Sequence, residues 1–158
     1  MTNISVATPA HSSLMTGLFR LRSLLESVPY SVLAIPLRLA VATVFWSSGM
    51  TKLANWDTTL LLFADEYRLP LMPPEVAAYM AASIELTTPV LLVLGLLTRP
   101  AAFVLLGMTT VIEIFVYPQA WPTHIQWAAM LLILLCRGPG RFSLDHLIWS
   151  RIRPGEGA

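Results

Sequence analysis

Apolar residues fall in four blocks separated by short polar or proline-rich breaks, roughly Ser31–Thr51, Glu75–Leu97, Pro100–Tyr117 and Pro122–Cys136. A membrane-spanning helix needs about 20 apolar residues, with about 17 tolerated, so the first three blocks qualify. The fourth is short and spans only if Arg137 snorkels or the bilayer thins locally. Punctuation supports these boundaries. Pro73-Pro74 leads into the second block, Arg99-Pro100 opens the third, and Gly138-Pro139-Gly140 closes the fourth. Pro118 and Pro122 bracket a tight connection. The predicted fold class is all-α, an integral-membrane four-helix bundle.

Outside the blocks the pattern changes. Leu14, Leu18, Leu21, Leu25 and Val28 recur at helical spacing with Arg20 and Arg22 between them, which predicts an interfacial helix on the membrane surface. Phe142–Ile152 mixes Leu144, Leu147, Ile148 and Trp149 with basic residues and predicts a second one. The connection Ala54–Pro74 is long, and Thr58–Tyr67 can form a short amphipathic helix with Trp56 and Tyr67 at the interface. A membrane-surface helix is the simpler reading of it; a lid over the mouth of the bundle is the alternative. Three segments result: 1–30 as tail and interfacial helix, 31–136 as the transmembrane domain, and 137–158 as a C-terminal segment.

Composition places the chain in the membrane class: of 158 residues, 56% are hydrophobic and 12% charged. Mean hydropathy is +0.68. A net charge of +1 gives no argument for nucleic acid as a partner. Cys136 is the single cysteine, so an intramolecular disulfide or dithiol mechanism is excluded. The stretch Met1–Gly17 lacks the features of a cleaved secretory signal, so the first apolar block is expected to remain as an anchor. Arg20, Arg22, Arg99, Arg137, Arg141, Arg151 and Arg153 fall on one side of a four-span topology. The other side holds only Lys52 and Arg68 against several acids, which puts both termini in the cytoplasm. The expected location is a bacterial inner membrane, crossed several times.

The candidate chemistry lies in charged residues inside the apolar blocks. Glu85 is the one charged residue in Val76–Leu97, and lipid tolerates a carboxylate there only when it faces protein, water or a partner charge. Estimated depths bring Arg38 within about 5 Å of its level at 1.5 Å of rise per residue, so an Arg38–Glu85 pair is expected, either as a helix clamp or as a proton or ligand site. Glu113, His124 and Lys52 could converge near the opposite mouth with Trp46, Tyr117, Trp121 and Trp127, where coupled titration would suit proton handling. The aromatics also fit the ordinary interfacial belt. Thr87-Thr88-Pro89 would kink the second helix and place Thr88 beside a polar pocket.

Metal binding has less behind it. No Glu-x-x-His pair and no Met-x-x-Met array is present, and the methionines read as helix filler. His11 and His146 fall in surface segments. Phosphate-binding glycine loops, zinc spacing and nucleophile elbows are also missing, which argues against nucleotide-driven or zinc-dependent chemistry.

Arg38-Leu-Ala-Val-Ala-Thr-Val-Phe45, followed by Ser48-Gly49-Met50-Thr51-Lys52-Leu53, resembles the first-helix signature of the DoxX family of small membrane proteins. Glu85 with Gly95-Leu-Leu-Thr98-Arg99-Pro-Ala-Ala102 resembles its second and third helices. Phe63-Ala-Asp65-Glu66-Tyr67 and Pro118-Gln-Ala-Trp121-Pro122-Thr-His124 resemble the subgroup that accompanies bacterial copper-handling peptide systems. The resemblance covers roughly Leu37–Leu147 and implies a four-helix inner-membrane protein. Arg38, Gly49, Lys52, Glu85 and Arg99 fall on the family pattern, with no catalytic role attached to them. Relatives of the DoxD type belong to thiosulfate:quinone oxidoreductases, and others associate with oxidative-stress complexes.

Two functions are therefore expected. In the first, the chain is a membrane subunit of a redox or stress-response system. A pocket around Arg38, Lys52, Glu85, Thr88, Glu113 and His124 takes a quinone-like or other small ligand, and a protein partner supplies the electrons. A quinone-linked oxidoreductase subunit is the enzymatic form of this reading. In the second, it is a non-enzymatic assembly factor or small transporter for a copper-binding peptide system. The lipid bilayer is a partner in both, and homo-oligomerisation is compatible with either.

Overall fold

A computed structural model describes residues 11–70 and 72–152, and all regular structure among them is helical. Helix α1 spans His11–Glu26, α2 Tyr30–Ala54, α3 Trp56–Leu61, α4 Pro74–Leu94, α5 Thr98–Val111, α6 Trp121–Arg137 and α7 Leu144–Ile152. Two π-helical segments, Leu62–Tyr67 after α3 and Ile112–Val116 after α5, extend their helices with a wider turn. A 3₁₀ turn, Pro118–Ala120, leads into α6.

Three helical segments are long and apolar enough to cross a membrane: Tyr30–Ala54, Pro74–Leu94 and Thr98–Val116. Helix α6 has 17 residues and is shorter than these, as its sequence predicted. The four long helices pack side by side, α2 along α4 and α5 along α6, with α4 also against α5 and α2 against α6. Their common core is Val41, Ala42, Phe45, Leu92, Ala101, Ala102, Leu105, Leu131 and Leu134. Many large apolar side chains, among them Phe103, Ile114 and Trp46, point outward instead. In water such a surface would be a liability, and lipid is the solvent that suits it. With no hydrophobic drive between helices in lipid, close approach depends on small residues. Ala34, Ala42, Ala78, Ala82, Ala101 and Ala102 are all buried. At Gly49 an added Cβ would lie 3.0–3.1 Å from Leu86 and the Glu85 Cβ, so α2 and α4 meet there nearly backbone to backbone.

Helix α4 ends three residues before the predicted Leu97 because Gly95 adopts a left-handed conformation (φ 65°). Leu96 N–H then donates to the Leu91 carbonyl at 2.9 Å, a Schellman closure. The first backbone groups of α5 are capped from outside their own helix. The Asp145 carboxylate, at the start of α7, accepts the Leu97 N–H at 2.8 Å and the Thr98 N–H at 3.0 Å. Asp145 N–H donates back to the Gly95 carbonyl at 2.9 Å. This knot ties α7 to the α4–α5 turn. The described side chains of α1, residues 15–26, are exposed.

The long connection after α2 packs inward. Asn55 Oδ1 caps α3 by accepting the Thr58 N–H at 3.1 Å. The π segment then buries Phe63 against Ala77, Ala78 and Ala81 of α4, with Trp56, Leu60 and Tyr67 around them.

Gly95 and Gly107 provide a contrast. A Cβ at Gly95 would collide with the Arg38 guanidinium and the Ser143 Cβ and sit 3.0 Å from the Ser143 Cα, at a positive φ; one at Gly107 meets nothing within 4 Å. Gly107→Ala is expected to hold or raise thermal stability, gaining up to about 1 kcal/mol of helix propensity. Gly95→Ala is expected to lower it by about 1–3 kcal/mol. Melting curves of the detergent-solubilised variants compare the two directly; equal melting points would contradict the packing at Gly95.

Candidate functional site

Glu85 sits in the middle of α4 with its side chain 2% exposed. Its partner is Lys52 on α2. The ammonium lies 2.7 Å from Oε2 and 2.9 Å from Oε1, donating to Oε1. Ser48, one helical turn before Lys52, donates to the same Oε1 at 3.1 Å and accepts from the ammonium at 3.0 Å. Oε2 touches the ammonium but receives no well-directed hydrogen bond among the described residues. It keeps acceptor capacity inside an apolar wall.

The expected Arg38–Glu85 pair is not formed. Arg38 packs beside Gly95, whereas Glu85 packs beside Gly49, eleven residues further along α2. That separation is about 16 Å at 1.5 Å per residue, far beyond an ion pair. The depth estimate failed because α4 overshoots the end of α2. Its first turns run past Lys52 and are covered by Phe63 and its neighbours in the π segment. Arg38 instead donates from Nη2 to the Phe142 carbonyl at 2.8 Å and is 5% exposed.

Lys52 and Glu85 open onto a cavity of about 350 Å³ between α2, α4, α5, α6 and both π segments. The volume lies at the lower end of the ~300–1,000 Å³ of drug-sized ligand pockets. Its polar wall is Ser48, Lys52, Glu85, Tyr67, Tyr117 and His124; the remainder is aliphatic, aromatic or methionine. Met80 on α4 and Val104 and Val111 on α5 line it and are exposed. The cavity is therefore open, not sealed, along its α4 and α5 walls.

Glu113 and His124 come together as expected: His124 Nδ1 lies 2.6 Å from Glu113 Oε2. His124 is buried and lines the cavity; Glu113, 31% exposed, stands behind it on the second π segment. Such a carboxylate fixes the tautomer and orientation of the ring it holds. Trp127 also lines the cavity, edge-on to Phe45 at 5.6 Å and tilted against His124 at 5.1 Å. Tyr117 meets Tyr67 edge-on at 5.7 Å and donates its hydroxyl to Glu66 at 2.6 Å. That hydrogen bond, with burial, pushes the Tyr117 phenol well above its ordinary range, so it stays a neutral donor. Burial raises Tyr67 likewise.

Besides Arg38, three further expected members lie elsewhere. Thr88 is buried, but its hydroxyl donates to the Ile84 carbonyl at 2.7 Å, the usual back-bond of a helical threonine, and faces the helix rather than the cavity. Thr87 makes the same bond to Ser83. Trp46 faces outward over a separate groove beside Pro89 and Val90, and Trp121 is 56% exposed, away from the cavity wall. Trp121, at the start of α6, fits the interfacial-belt reading of the aromatics, whereas Trp46 lies in the interior of α2. Ser48 was not among the expected pocket residues. Its i,i+4 spacing to Lys52 was the signal that it shares the face of the ammonium. Phe63 carried no signal, because nothing in its local pattern indicates a π turn. Among the described residues no three His, Cys, Asp or Glu side chains gather as a metal site.

The DoxX family model matches residues 33–118, which include most of α2, all of α4 and α5, and Glu113 of the second π segment. An uncharacterised protein of Haemophilus influenzae is 29% identical over 139 residues, covering 78% of this chain and 88% of its own length. The inner membrane protein YphA of Escherichia coli is 31% identical over 129 residues, covering 73% of this chain and 89% of its own. No solved structure matches the chain.

The ion pair sets a test. Lys52→Met strands a buried carboxylate and is expected to cost about 3–5 kcal/mol, and Lys52→Met with Glu85→Leu to recover most of it. A double-mutant cycle by unfolding in detergent should show strong coupling for Lys52 with Glu85 and additivity for Arg38 with Glu85. Coupling in the second cycle would overturn the register described.

Proposed function

The chain belongs to the DoxX family of membrane proteins, and from that premise we propose that it is an inner-membrane subunit of a redox or stress-response system whose cavity binds a quinone-like ligand. The observation that carries the reading is the apolar cavity of about 350 Å³ with a buried Lys52–Glu85 pair on its wall. A quinone ring needs apolar walls, a donor for a carbonyl oxygen and a route for protons. Lys52 supplies a charged donor, held by Ser48 and Glu85 so that it points into the cavity wall. His124 supplies a second group that can donate or accept, and Glu113 links it to the more exposed surface. The opening along the α4 and α5 walls gives a hydrophobic tail its exit into lipid.

Reduction of a quinone to a quinol takes two electrons and two protons. The residues of this chain would handle the protons, Glu113 and His124 exchanging them with the outside and Lys52–Glu85 balancing charge at the ring. Electrons would come from a protein partner, since the chain itself carries no haem-ligand pair, flavin motif or iron–sulfur cysteine set. Under this reading both termini face the cytoplasm, and α1 and α7 lie at the membrane surface through their exposed apolar residues.

Decylubiquinone and menadione are the probes. Added at about a hundred times its dissociation constant, a binding quinone should contribute about 2.7 kcal/mol to the stability of the purified protein. That corresponds to a rise in Tm of roughly 5–10 °C. Glu85→Gln is expected to abolish most of the rise and His124→Phe to reduce it. If neither quinone shifts the melting point of the unsubstituted protein, and a deletion strain is instead sensitive to copper, the assembly or transport role replaces this one.

A further inference from the structure

At the opposite end of the helices from the cavity, a second cleft of about 660 Å³ opens between the starts of α2 and α5, the end of α6, and α7. Arg99, Arg137 and Arg141 line it together with Tyr30 and His146. The Gly138-Pro139-Gly140 turn forms its floor, with both glycines at positive φ (78° and 80°). An added Cβ at Gly140 would lie 2.8 Å from the Ser31 Cα, so the turn is pressed against α2. Tyr30 fixes the same contact by donating its hydroxyl to the Gly138 carbonyl at 2.7 Å.

Among the described residues the charge in this cleft is not balanced. Arg137 stacks its guanidinium 5.0 Å from the centre of the Tyr30 ring, and Arg99 donates to the Cys136 carbonyl at 3.3 Å. Among the described residues none of Arg99, Arg137 and Arg141 has a carboxylate within 4.0 Å; the pairs formed are Arg22–Glu26, Lys52–Glu85 and His124–Glu113. Asp145 lines the cleft as its one acid, but both its oxygens are committed to the Leu97 and Thr98 N–H groups. Buried alongside, Arg38 leaves Nε and Nη1 without partners after its bond to the Phe142 carbonyl. Guanidinium groups so arranged suit an oxyanion with several acceptor oxygens, which phosphate offers and a single carboxylate does not.

We propose that this cleft holds the phosphate headgroup of an anionic phospholipid. The surroundings favour a lipid over a soluble phosphate. Phe103 follows Arg99 by four residues on α5, and Ile133 precedes Arg137 by four on α6, so each shares a helix face with its arginine. Both are exposed, at 65% and 41%. Each guanidinium thus stands at the end of an outward apolar track that would carry an acyl chain. Leu97 and Trp149 line the cleft itself and are exposed as well. Basic pockets between helix ends are where acidic headgroups seat.

The test uses the full chain in nanodiscs of phosphatidylcholine alone, of phosphatidylcholine with phosphatidylglycerol, and of phosphatidylcholine with inorganic phosphate in the buffer. Phosphatidylglycerol is expected to raise the melting point and to remain as an adduct in native mass spectra, with inorganic phosphate having no effect. Combining Arg99→Gln, Arg137→Gln and Arg141→Gln should weaken retention by roughly tenfold or more. Arg20→Gln with Arg22→Gln, on α1, should leave it unchanged. If the triple glutamine variant fails to fold, the matching lysine variants keep the charge and lose the fork, and retention should fall by a smaller factor. Equal retention by the triple variants, equal loss on removing Arg20 and Arg22, or equal stabilisation by inorganic phosphate would each overturn the assignment.

Discussion

Lys52 and Glu85 set the register of α2 against α4, and most of the remaining architecture follows from that register. A carboxylate 2% exposed among apolar helices cannot stand alone, because the cost of an uncompensated buried charge exceeds that of almost any packing defect. Sliding α4 by one turn would strand both charges and carry Leu86 and Glu85 away from the space that Gly49 leaves open for them. The glycine and the ion pair therefore enforce one alignment from two directions, one through volume and the other through charge. In that alignment the first turns of α4 extend past the end of α2. Something must cover them, and α3 with its π segment does so by lodging Phe63 against Ala77, Ala78 and Ala81.

The cavity is a consequence of this arrangement. Protein interiors normally close such voids, and a water molecule occupies only about 30 Å³ of liquid volume. Here the wall is assembled from six helical segments, two of them π-helical. A π turn is a wider, less efficiently packed conformation that recurs at functional positions. One of these segments delivers Tyr67 to the cavity; the other sets Glu113 behind His124. A void walled by aliphatic carbon on most sides and bordered by an ammonium, a carboxylate and an imidazole suits an amphipathic molecule better than bulk water or an acyl chain alone.

Much of the fold was legible in the sequence because the signals were strong and local. Long apolar blocks and flanking prolines place the helices within a few residues of their observed ends. Interior carboxylates announce themselves by being out of place, and Glu113 with His124 could be paired from their shared end of neighbouring helices. The partner of Glu85 was not legible. Its identity depends on how far α4 overshoots α2, which is set by the packing of a connecting segment whose π turn has no recognisable periodicity. Thr88 illustrates a related limit. A hydroxyl beside a buried acid looks like a pocket group, yet a threonine inside a helix satisfies itself on the carbonyl one turn back, here that of Ile84. Asp145 was invisible for a third reason: it caps a helix to which it does not belong.

A net charge of +1 conceals an uneven distribution. Around the cavity, Lys52 is matched by Glu85 and His124 by Glu113, so the electrostatic demands of that end are met within the chain. At the other end Arg38, Arg99, Arg137 and Arg141 gather about one carboxylate, whose oxygens already serve as a helix cap. Self-neutralisation leaves the first site free to take a weakly polar guest without first losing a counter-ion. The second, among the described residues, has no free carboxylate of its own and would draw on an anion from outside. The α2 helix runs through both, from Tyr30 beside the arginines to Lys52 beside the cavity, so a guest at either end would bear on the same helix.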